Sequence, residues 1–390
     1  MVWVRSPTQY GQRKKTEVMG MKTTAAVVRA AGEPFLITEV ELDDLRPDEV
    51  LVRLVAVGVC HTDLSARSGS TPFPLPGVLG HEGVGIIEAV GSAVSRVQAN
   101  DKVLMTFTSC GRCSRCRGGH PAYCEFHLPW NLLGGRRADG TTTVSVGGQE
   151  LNAHFFGQSS FARHAIADER SIVRLPEDTS TDEMIALAPL GCGIQTGAGA
   201  VLNVLRPEIG STIAVAGAGA VGLAAVMAAA NTPTEHIIVV DRVAKRLELA
   251  RELGATDTID TSTADLSRIL SEITDGRGID YALETTGNTG VLETLCSALA
   301  VGGHCAVVGA PRAGSRASID VNAFLPGRRI SGVTLGDSEP ETFVPQLAQM
   351  YRAGKFPIDR LERRYRFDDI EQAAADAAAG IAIKPILTFD

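Results

Sequence analysis

Residues 211–222 form the sequence STIAVAGAGAVG, in which a short apolar run leads into three glycines spaced as G-x-G-x-x-G. The apolar run predicts a buried strand, and the alanine-rich residues 223–230 that follow predict a helix. A strand, a glycine-rich turn and a helix in this order hold the pyrophosphate of a dinucleotide at the helix N-terminus. We therefore expect Gly217, Gly219, Val221 and Gly222 to lie against a dinucleotide.

A second predicted strand, at 236–240, ends in Asp241, about 20 residues after the glycine-rich turn. An acidic side chain at this distance binds the ribose hydroxyls in dinucleotide-binding folds. Strands and helices continue to alternate up to a last strand predicted at 330–335. This alternation predicts an α/β domain over residues 194–334, with a doubly wound parallel sheet and helices on both faces.

Upstream of this domain, short alternating apolar runs are separated by Gly and Pro, which is typical of a β-rich module. One such run, at 50–57, leads directly into Cys60, and GHEG at 80–83 and GCGIQTG at 191–197 supply further ligating groups. Two thiolates and one imidazole would leave the fourth position of a tetrahedral zinc site open. Cys60, His81 and Cys192 are thus candidate ligands of a catalytic zinc.

Four of the eight cysteines are concentrated in the spacing C-x2-C-x2-C-x7-C, within a polar, glycine-rich segment. Four thiolates can close a tetrahedral shell around a zinc ion, and the metal would replace a core that this segment lacks. We expect a structural zinc lobe at about 108–126, held by Cys110, Cys113, Cys116 and Cys124.

The 390-residue length predicts two domains, and the hydrophobic share of 44% is that of an ordinary globular protein. The net charge of -8 argues against nucleic acid and anionic membranes as partners. No apolar run reaches the length of a membrane span. With no secretory signal and with clustered cysteines, we expect a reducing cytoplasm. Residues 1–20 are expected to be a disordered extension.

After residue 335, predicted strands and helices no longer alternate regularly. Helices are predicted at 342–353 and 368–379, and a final strand at 384–389. We expect residues 335–390 to return to the β-rich domain of residues 21–193, which would then be the discontinuous catalytic domain with the nucleotide-binding domain inserted in it.

Together, these motifs make the chain resemble the zinc-containing, medium-chain alcohol dehydrogenases over residues 21–390. The resemblance rests on GVCHTD (58–63), GHEG (80–83), the four-cysteine set, HFFGQSSFA (154–162), GCGIQTG (191–197) and AGAGAVG (216–222). It implies a GroES-like catalytic domain and a Rossmann domain, and the ligand set of two cysteines and one histidine is that of alcohol dehydrogenase. Within the family, the loops are most similar to those of bacterial aryl-alcohol (benzyl-alcohol) dehydrogenases.

The resemblance also implies roles for single residues. Asp63 would orient the zinc-bound imidazole, Glu82 would assist ligand exchange, and Thr62 would take the alcohol proton. The residues implied at the cofactor are His61, Thr196, Val221, Arg246 and Lys384, and those implied at the substrate are Phe107, Phe155, Ala310 and Leu335. Asp63 could instead be a turn former, Arg246 a solvated charge, and the phenylalanines simply core.

One position departs from many relatives. Ser65 lies where they carry a histidine at the outer end of the proton relay, and a serine cannot store a proton near pH 7. The outward path of the proton could therefore run through the ribose hydroxyl to water.

The implied reaction is the reversible oxidation of a primary aromatic or allylic alcohol to its aldehyde, with two zinc ions per chain and NAD. The alternatives are a zinc dehydrogenase for terpenoid or short aliphatic alcohols, a nicotinoprotein that keeps its NAD bound, and a non-catalytic NAD(P)H-binding member of the fold. The expected partners are small alcohols and aldehydes. A homo-oligomer, dimer or tetramer, is also expected, with the strand near 330–335 available to pair with its copy.

Overall fold

The structure, a computed structural model, describes residue 18 and residues 20–389. The extension predicted at 1–20 lies outside the described residues except for Val18 and Gly20. These two belong to the packed part of the chain. Val18 is 1% exposed within a hydrophobic cluster, and the amide of Gly20 donates to the carbonyl of Leu42 at 2.9 Å.

The secondary structure of the described residues alternates between β-rich and α/β regions. The strands are β1 (Lys22–Val28), β2 (Leu36–Leu42), β3 (Glu49–Gly58), β4 (Gly77–Val78), β5 (Gly83–Val90), β6 (Lys102–Met105), β7 (Val144–Val146), β8 (Gln149–Leu151), β9 (His164–Asp168), β10 (Ile172–Arg174), β11 (Thr212–Ala216), β12 (His236–Asp241), β13 (Asp257–Asp260), β14 (Ile279–Glu284), β15 (Leu299–Val307), β16 (Arg329–Gly332), β17 (Glu362–Arg366) and β18 (Lys384–Thr388). The helices are α1 (His61–Ser68), α2 (Ser114–Arg117), α3 (Thr181–Leu187), α4 (Gly193–Gly199), α5 (Ala220–Ala229), α6 (Ala244–Glu252), α7 (Leu266–Ile273), α8 (Thr289–Ala298), α9 (Pro340–Arg352) and α10 (Ile370–Ala378).

The predicted doubly wound sheet is confirmed. Strands β11 to β16 form a six-stranded parallel sheet in the order β13-β12-β11-β14-β15-β16. Numbered from its first strand, this is the order 3-2-1-4-5-6 of dinucleotide-binding folds, whose crevice opens where the order reverses, between β11 and β14. Every residue of β11 is buried, as expected for a central strand covered on both faces.

The edge of this sheet differs from the prediction. The strand predicted at 330–335 is β16, which ends at Gly332, and Leu335 lies beyond it in a short 3-10 turn with φ +48°. A strand does not continue through a left-handed residue, so Leu335 itself cannot belong to β16. Ile330 is exposed on this edge strand.

The β-rich part of the chain forms two further sheets. One has the order β4-β1-β2-β7-β8, and the other has the order β10-β6-β5-β3-β18-β17, with β9 also paired to β3. The last strand therefore lies beside β3, with Ile386 opposite Gly58. This pairing supports the predicted return of residues 335–390 to the catalytic domain, although the exact domain boundaries remain a prediction.

The register of the second sheet brings the ends of three strands together. Val57 near the end of β3 is opposite Gly83 at the start of β5, and Gly58 is opposite Ile386 near the start of β18. Residues that follow β3, precede β5 and begin β18 must consequently meet at one corner. Gly58 itself has no room for a side chain, since a Cβ there would lie 2.1 Å from Oε2 of Glu82.

No single helix of the described residues is long and apolar enough to cross a membrane. Residues 181–191 and 193–205 reach such a length and hydropathy only together, and they are bent by 64° at their junction.

Candidate active site

Two thiols and an imidazole that lie far apart in the sequence meet at the corner where β3, β5 and β18 end or begin. Cys60 caps α1 directly after β3, His81 and Glu82 precede β5, and Cys192 precedes α4. One ligating atom from each of the four side chains lies within 4.8 Å of those of the others. The structure therefore brings together the three predicted ligands of the catalytic zinc and adds a carboxylate beside them.

The imidazole of His81 is oriented as a metal ligand would be. Its Nδ1 lies 2.9 Å from Oδ1 of Asp63, and both side chains are fully buried. Asp63 also accepts from the amides of Cys60, at 2.9 Å, and Gly80, at 3.0 Å, so its position is fixed. The other ring nitrogen, Nε2, is buried without a hydrogen-bond partner. An orphaned nitrogen of this kind facing two thiols fits a zinc ion.

The two thiols differ in acidity. A hydrogen bond from Cys192, together with the nearby Lys384 ammonium, holds the pKa of Cys60 well below its usual value despite burial. The same hydrogen bond and burial raise the pKa of Cys192. The site thus already favours one thiolate, the form that binds metal.

Lys384, which was predicted to lie at the cofactor, forms a buried ion pair with Glu82. Its Nζ lies 2.6 Å from Oε2 of Glu82 and 3.4 Å from the carbonyl of Val59. Lys384 also lines the cleft in which the glycine-rich turn lies. Its charge is thus directed at Glu82, which itself accepts from the amide of Gly193 at 3.2 Å.

The predicted proton relay begins beside the thiol of Cys60. The hydroxyl of Thr62 lies 3.7 Å from Sγ of Cys60. Thr62 and Ser65 are both partly exposed and one turn apart on α1, so they lie on the same side of the helix. His61, the first residue of α1, is exposed and lines the cofactor cleft.

The four clustered cysteines form a second ligand set. Sγ of Cys116 lies 3.5 Å from Sγ of Cys113 and 3.9 Å from Sγ of Cys110, close to the edge of about 3.8 Å of a tetrahedron with zinc–sulfur bonds of about 2.3 Å. Backbone amides also point at the sulfurs, with that of Cys113 3.3 Å from Cys110 and that of Cys110 3.3 Å from Cys124. Amides directed at sulfur favour thiolates, so the lobe fits a structural zinc.

The glycine-rich turn has the shape that a dinucleotide needs. Gly217 has φ +98°, and a Cβ on Gly222 would lie 1.7 Å from the carbonyl oxygen of Gly217, so the turn and the helix packing both require glycine. A Cβ on Gly219 would meet nothing within 4 Å, which leaves open space where a pyrophosphate would approach. The carboxylate of Asp241 accepts from the amide of Ala218 at 2.7 Å and joins the end of β12 to this turn.

A cleft connects the two halves of the candidate site. A cavity of about 330 Å³ extends from Cys60 and His61 past Gly219 and Val221 to Asp241. A second cavity of about 320 Å³ continues between Asp241, Arg242 and Arg246. Thr196 lines neither cavity; it is buried, and its hydroxyl donates to the carbonyl of Cys192 at 2.8 Å. Arg246 donates to the carbonyl of Gly380 at 3.2 Å and still lines both cavities.

Three of the four predicted substrate residues lie together, and one does not. Phe107, Phe155 and Leu335 are buried in the same hydrophobic cluster as Cys192. The ring of Phe155 meets that of His81 edge to face, with centroids 5.4 Å apart. Ala310 is exposed and adjoins Gly287 in the nucleotide-binding region, outside this cluster.

Two further residues support the site and were not predicted. The ring of Phe156 stacks on His81, with centroids 4.4 Å apart, although its own backbone has φ +54°. The side-chain amide nitrogen Nε2 of Gln158 donates to the backbone carbonyls of His81, at 3.0 Å, and Thr106, at 2.8 Å. Their only sequence signal is their place in HFFGQSSFA, a motif without obvious ligating chemistry.

Comparison with known proteins agrees with this geometry. Residues 46–177 match the alcohol dehydrogenase GroES-like domain, and residues 220–351 match the zinc-binding dehydrogenase family. The chain is 41% identical to a geraniol dehydrogenase of Castellaniella defragrans, with 94% of this chain and 97% of that protein covered.

Two solved structures share the fold. A zinc-binding alcohol dehydrogenase domain protein from Burkholderia ambifaria superposes with a TM-score of 0.92 at 49% identity, covering 95% of this chain and 99% of that one. The benzyl alcohol dehydrogenase of Acinetobacter calcoaceticus does so with a TM-score of 0.91 at 44% identity, covering 95% of this chain and 100% of that one. The chain belongs to the zinc-binding alcohol dehydrogenase family, whose cofactors are zinc and NAD.

Proposed function

We propose that this alcohol dehydrogenase oxidises primary alcohols whose carbinol carbon is attached to an aromatic ring or a double bond. The observation that carries the proposal is that Phe107, Phe155 and Leu335 belong to the same hydrophobic cluster as Cys192, and that the ring of Phe155 meets that of His81 edge to face, with centroids 5.4 Å apart. Aromatic walls favour a flat substrate by about 0.5–1.5 kcal/mol beyond area burial. The names of two relatives, a geraniol and a benzyl alcohol dehydrogenase, point to the same class of alcohol.

The roles of the site residues are part of the proposal. Zinc supplies a Lewis acid that makes an alcohol hydroxyl more acidic, and NAD+ accepts the hydride. Cys60, His81 and Cys192 would hold the catalytic ion, and Cys110, Cys113, Cys116 and Cys124 the structural one. Asp63 fixes the ring of His81 through Nδ1, and Phe156 holds it by stacking.

The proton and the cofactor have separate binding residues. Thr62 would accept the proton of the alcohol at its Oγ1, next to Cys60, and pass its own hydroxyl proton on toward the ribose hydroxyl and water. Gly217, Gly219 and Gly222 admit the pyrophosphate, and Asp241 places a carboxylate at the adenosine ribose, which favours NAD over NADP. Thr196 and Val221 would pack against the nicotinamide, while His61 and Arg246 would lie along the rest of the cofactor.

Terpenoid allylic alcohols are the second candidate substrates, and the 41% identity to a geraniol dehydrogenase favours them. They share with benzyl alcohol an unsaturated carbon next to the carbinol carbon, so the same apolar cluster would serve both. We also expect a homo-oligomer and a cytoplasmic location.

A steady-state comparison of benzyl, cinnamyl, geranyl and ethyl alcohols with NAD+ tests the proposal. We expect kcat/KM for the first three to exceed that for ethanol by about two orders of magnitude, because ethanol forgoes roughly 0.8 kcal/mol for each missing buried carbon. Equal values for ethanol and benzyl alcohol would exclude this specificity. Turnover only with an added external acceptor would identify a nicotinoprotein, and no turnover at all would favour the non-catalytic alternative.

A further inference from the structure

A third group of ligating side chains shares no residue with the two zinc sites. Glu49, His154 and Asp168 each place one ligand atom within 4.8 Å of those of the other two. They come from separate parts of the chain. Glu49 begins β3, His154 precedes the 3-10 turn at Phe155–Gly157, and Asp168 ends β9. Neither the predicted mechanism nor the family resemblance gives these residues a role.

The two carboxylates of this group lie on neighbouring strands of one sheet. Glu49 and Asp168 are direct partners in the antiparallel pairing of β3 with β9. Like charges at directly opposite positions destabilise a sheet. Glu49 is buried and Asp168 is largely buried, so water screens this repulsion poorly. Such a pair calls for a positive charge between or beside the two carboxylates.

The imidazole of His154 faces these carboxylates without a hydrogen bond. The residue is 4% exposed, and neither ring nitrogen has a hydrogen-bond partner. Its Nε2 lies 3.3 Å from Oδ1 of Asp168, outside hydrogen-bonding angles. Burial lowers the pKa of His154, but the Asp168 carboxylate outweighs burial and raises it, so the group without a metal is an imidazolium–carboxylate pair. In a tetrahedral zinc site, a nitrogen and an oxygen ligand are separated by about 3.4 Å. Among the described residues, His81 at the catalytic site shows the same feature, a buried Nε2 without a partner.

Arg137 already supplies part of the positive charge. Its Nε and Nη2 donate to the two oxygens of Glu49 at 2.6 and 2.8 Å, and the amide of Arg46 donates to Oε2 at 2.8 Å. Arg137 also pairs with Asp43. Arg46 is a second cation, 3.8 Å from Asp43. Two arginines thus accompany the three carboxylates of Asp43, Glu49 and Asp168, and one negative charge remains for His154 or a bound cation to balance. A carboxylate has about four acceptor positions, and Glu49 uses three of them here, so one is left for a cation.

The group is accessible from outside. Glu49, His154 and Asp168 all line a cavity of about 570 Å³. Five arginines and five carboxylates line the cavity. Their formal charges cancel, so the cavity as a whole does not repel a metal ion.

We propose that Glu49, His154 and Asp168 bind one divalent first-row transition-metal ion, distinct from the two zinc ions held by cysteines. One imidazole with two carboxylates suits ions such as Mn²⁺ or Zn²⁺, whereas thiolate sites reject Mn²⁺. The ion would join the start of β3, the end of β9 and the turn that carries Phe155 and Phe156. That turn packs against His81, so the ion would act as a structural clip behind the active site.

Mn²⁺ is the probe that separates this site from the cysteine sites. The purified enzyme, with its zinc content measured beforehand, is titrated with Mn²⁺, and free Mn²⁺ is followed by electron paramagnetic resonance. We expect one equivalent to bind without loss of zinc. His154→Gln and Asp168→Asn should each weaken Mn²⁺ binding at least about tenfold. Asp48→Asn, which removes an exposed carboxylate that lines the same cavity, is the matched control and should bind as the wild type does.

A second measurement keeps the test decisive if a variant does not fold. In crystals of the wild-type enzyme soaked in Mn²⁺, we expect an anomalous peak between Nε2 of His154 and the carboxylate of Asp168. Absence of both the binding equivalent and the peak would overturn the proposal and leave an imidazolium–carboxylate pair. An equivalent that survives both substitutions would overturn it as well, because the ion would then be bound elsewhere.

Discussion

The ammonium group of Lys384 lies 2.6 Å from Oε2 of Glu82, and the two side chains are 2% and 0% exposed. Burial raises the pKa of Glu82 to about 7, and the Lys384 charge opposes that rise. Each charge is stabilised mainly by the other, because neither side chain is exposed to water. A carboxylate oxygen of Glu82 lies within 4.8 Å of the thiols and imidazole that would hold the catalytic zinc, and the Lys384 charge lowers the pKa of Cys60, so the pair influences the charge of the site.

Removal of one member of this pair should be costly. Lys384→Met leaves the Glu82 carboxylate buried without a counter-charge, and we expect the free energy of unfolding to fall by about 3–5 kcal/mol. Adding Glu82→Gln to that variant should restore part of the loss. Chemical denaturation measures both, with Arg242→Met, an exposed cation of the same cleft, as control. A loss below about 1 kcal/mol for Lys384→Met would show that water reaches the carboxylate.

The two cysteine-containing sites should hold zinc independently. Elemental analysis of dialysed enzyme should give two zinc ions per chain, and Cys60→Ser should give one, with activity lost and the fold kept. Cys113→Ser should also give one ion, but stability and solubility should fall first, because the lobe lacks an apolar core of its own. Fully active protein with fewer than two ions would contradict this assignment.

Cofactor choice should depend on the charge of Asp241. We expect kcat/KM with NAD+ to exceed that with NADP+ by at least about tenfold, because a 2′-phosphate would face this carboxylate. Asp241→Asn removes the charge but keeps an acceptor for the amide of Ala218. It should lower the ratio of kcat/KM with NAD+ to kcat/KM with NADP+. Asp260→Asn, at the neighbouring register position on β13, should leave the ratio unchanged. Equal use of both cofactors by the wild type would refute the prediction.

Thr62 and Ser65 should differ sharply in their effect on turnover. Thr62→Val removes the proton acceptor next to Cys60, and kcat should fall about a hundredfold or more while zinc content stays constant. Ser65→Ala should change kcat little, because we expect the proton that Thr62 passes on to leave through the ribose hydroxyl to water and not through Ser65. A large loss from Ser65→Ala in folded enzyme would place that hydroxyl in the relay.

Glu362 should make stability depend on pH outside the active site. Burial raises the pKa of Glu362 to about 7, against the opposing effect of Arg364, and its Oε1 has no hydrogen-bond partner. A carboxyl whose pKa is raised on folding costs nothing below its unfolded value of about 4.5, and the cost develops fully above pH 7.

Glu362→Gln should therefore raise the melting temperature at pH 8 and change it little at pH 5. The gain at pH 8 should correspond to about 1–2 kcal/mol, with allowance for screening by Arg364. Scanning calorimetry at the two pH values measures it, and Glu371→Gln, an exposed carboxylate, is the control. An equal effect at both pH values would exclude a titration of Glu362.

The parts of the site that the sequence predicted best are those in which chemistry and spacing coincide. The spacing of the glycines in the turn and of the four clustered cysteines is specific. Cys60, His81 and Cys192 each lie in a short motif of distinctive residues. The parallel sheet could also be predicted, because its central strands β11 and β12 are largely apolar and strands alternate regularly with helices. Shorter strands of the β-rich part, such as β7 and β8, carry too few residues for a periodicity to show.

What the sequence could not predict are pairings across long separations. Glu82 and Lys384 are 302 positions apart, and nothing local in either segment indicates the other. Nothing in the sequence around Phe156 indicates its left-handed backbone or the stacking of its ring on His81. Ala310 was assigned to the substrate only by similarity of position; it is exposed beside Gly287, and its role stays a prediction.

The pairing of β18 with β3 also bears on how the protein is made. Strand β3 leaves the ribosome more than 300 residues before β18, whereas the six strands of the parallel sheet are all synthesised in between and pair mostly with near neighbours. Domains tend to fold as units during synthesis, and distant pairings form late. The nucleotide-binding sheet can therefore be complete while the catalytic sheet still has an open edge. During that interval Glu82 has no Lys384, and the nascent chain exposes an unfinished metal site.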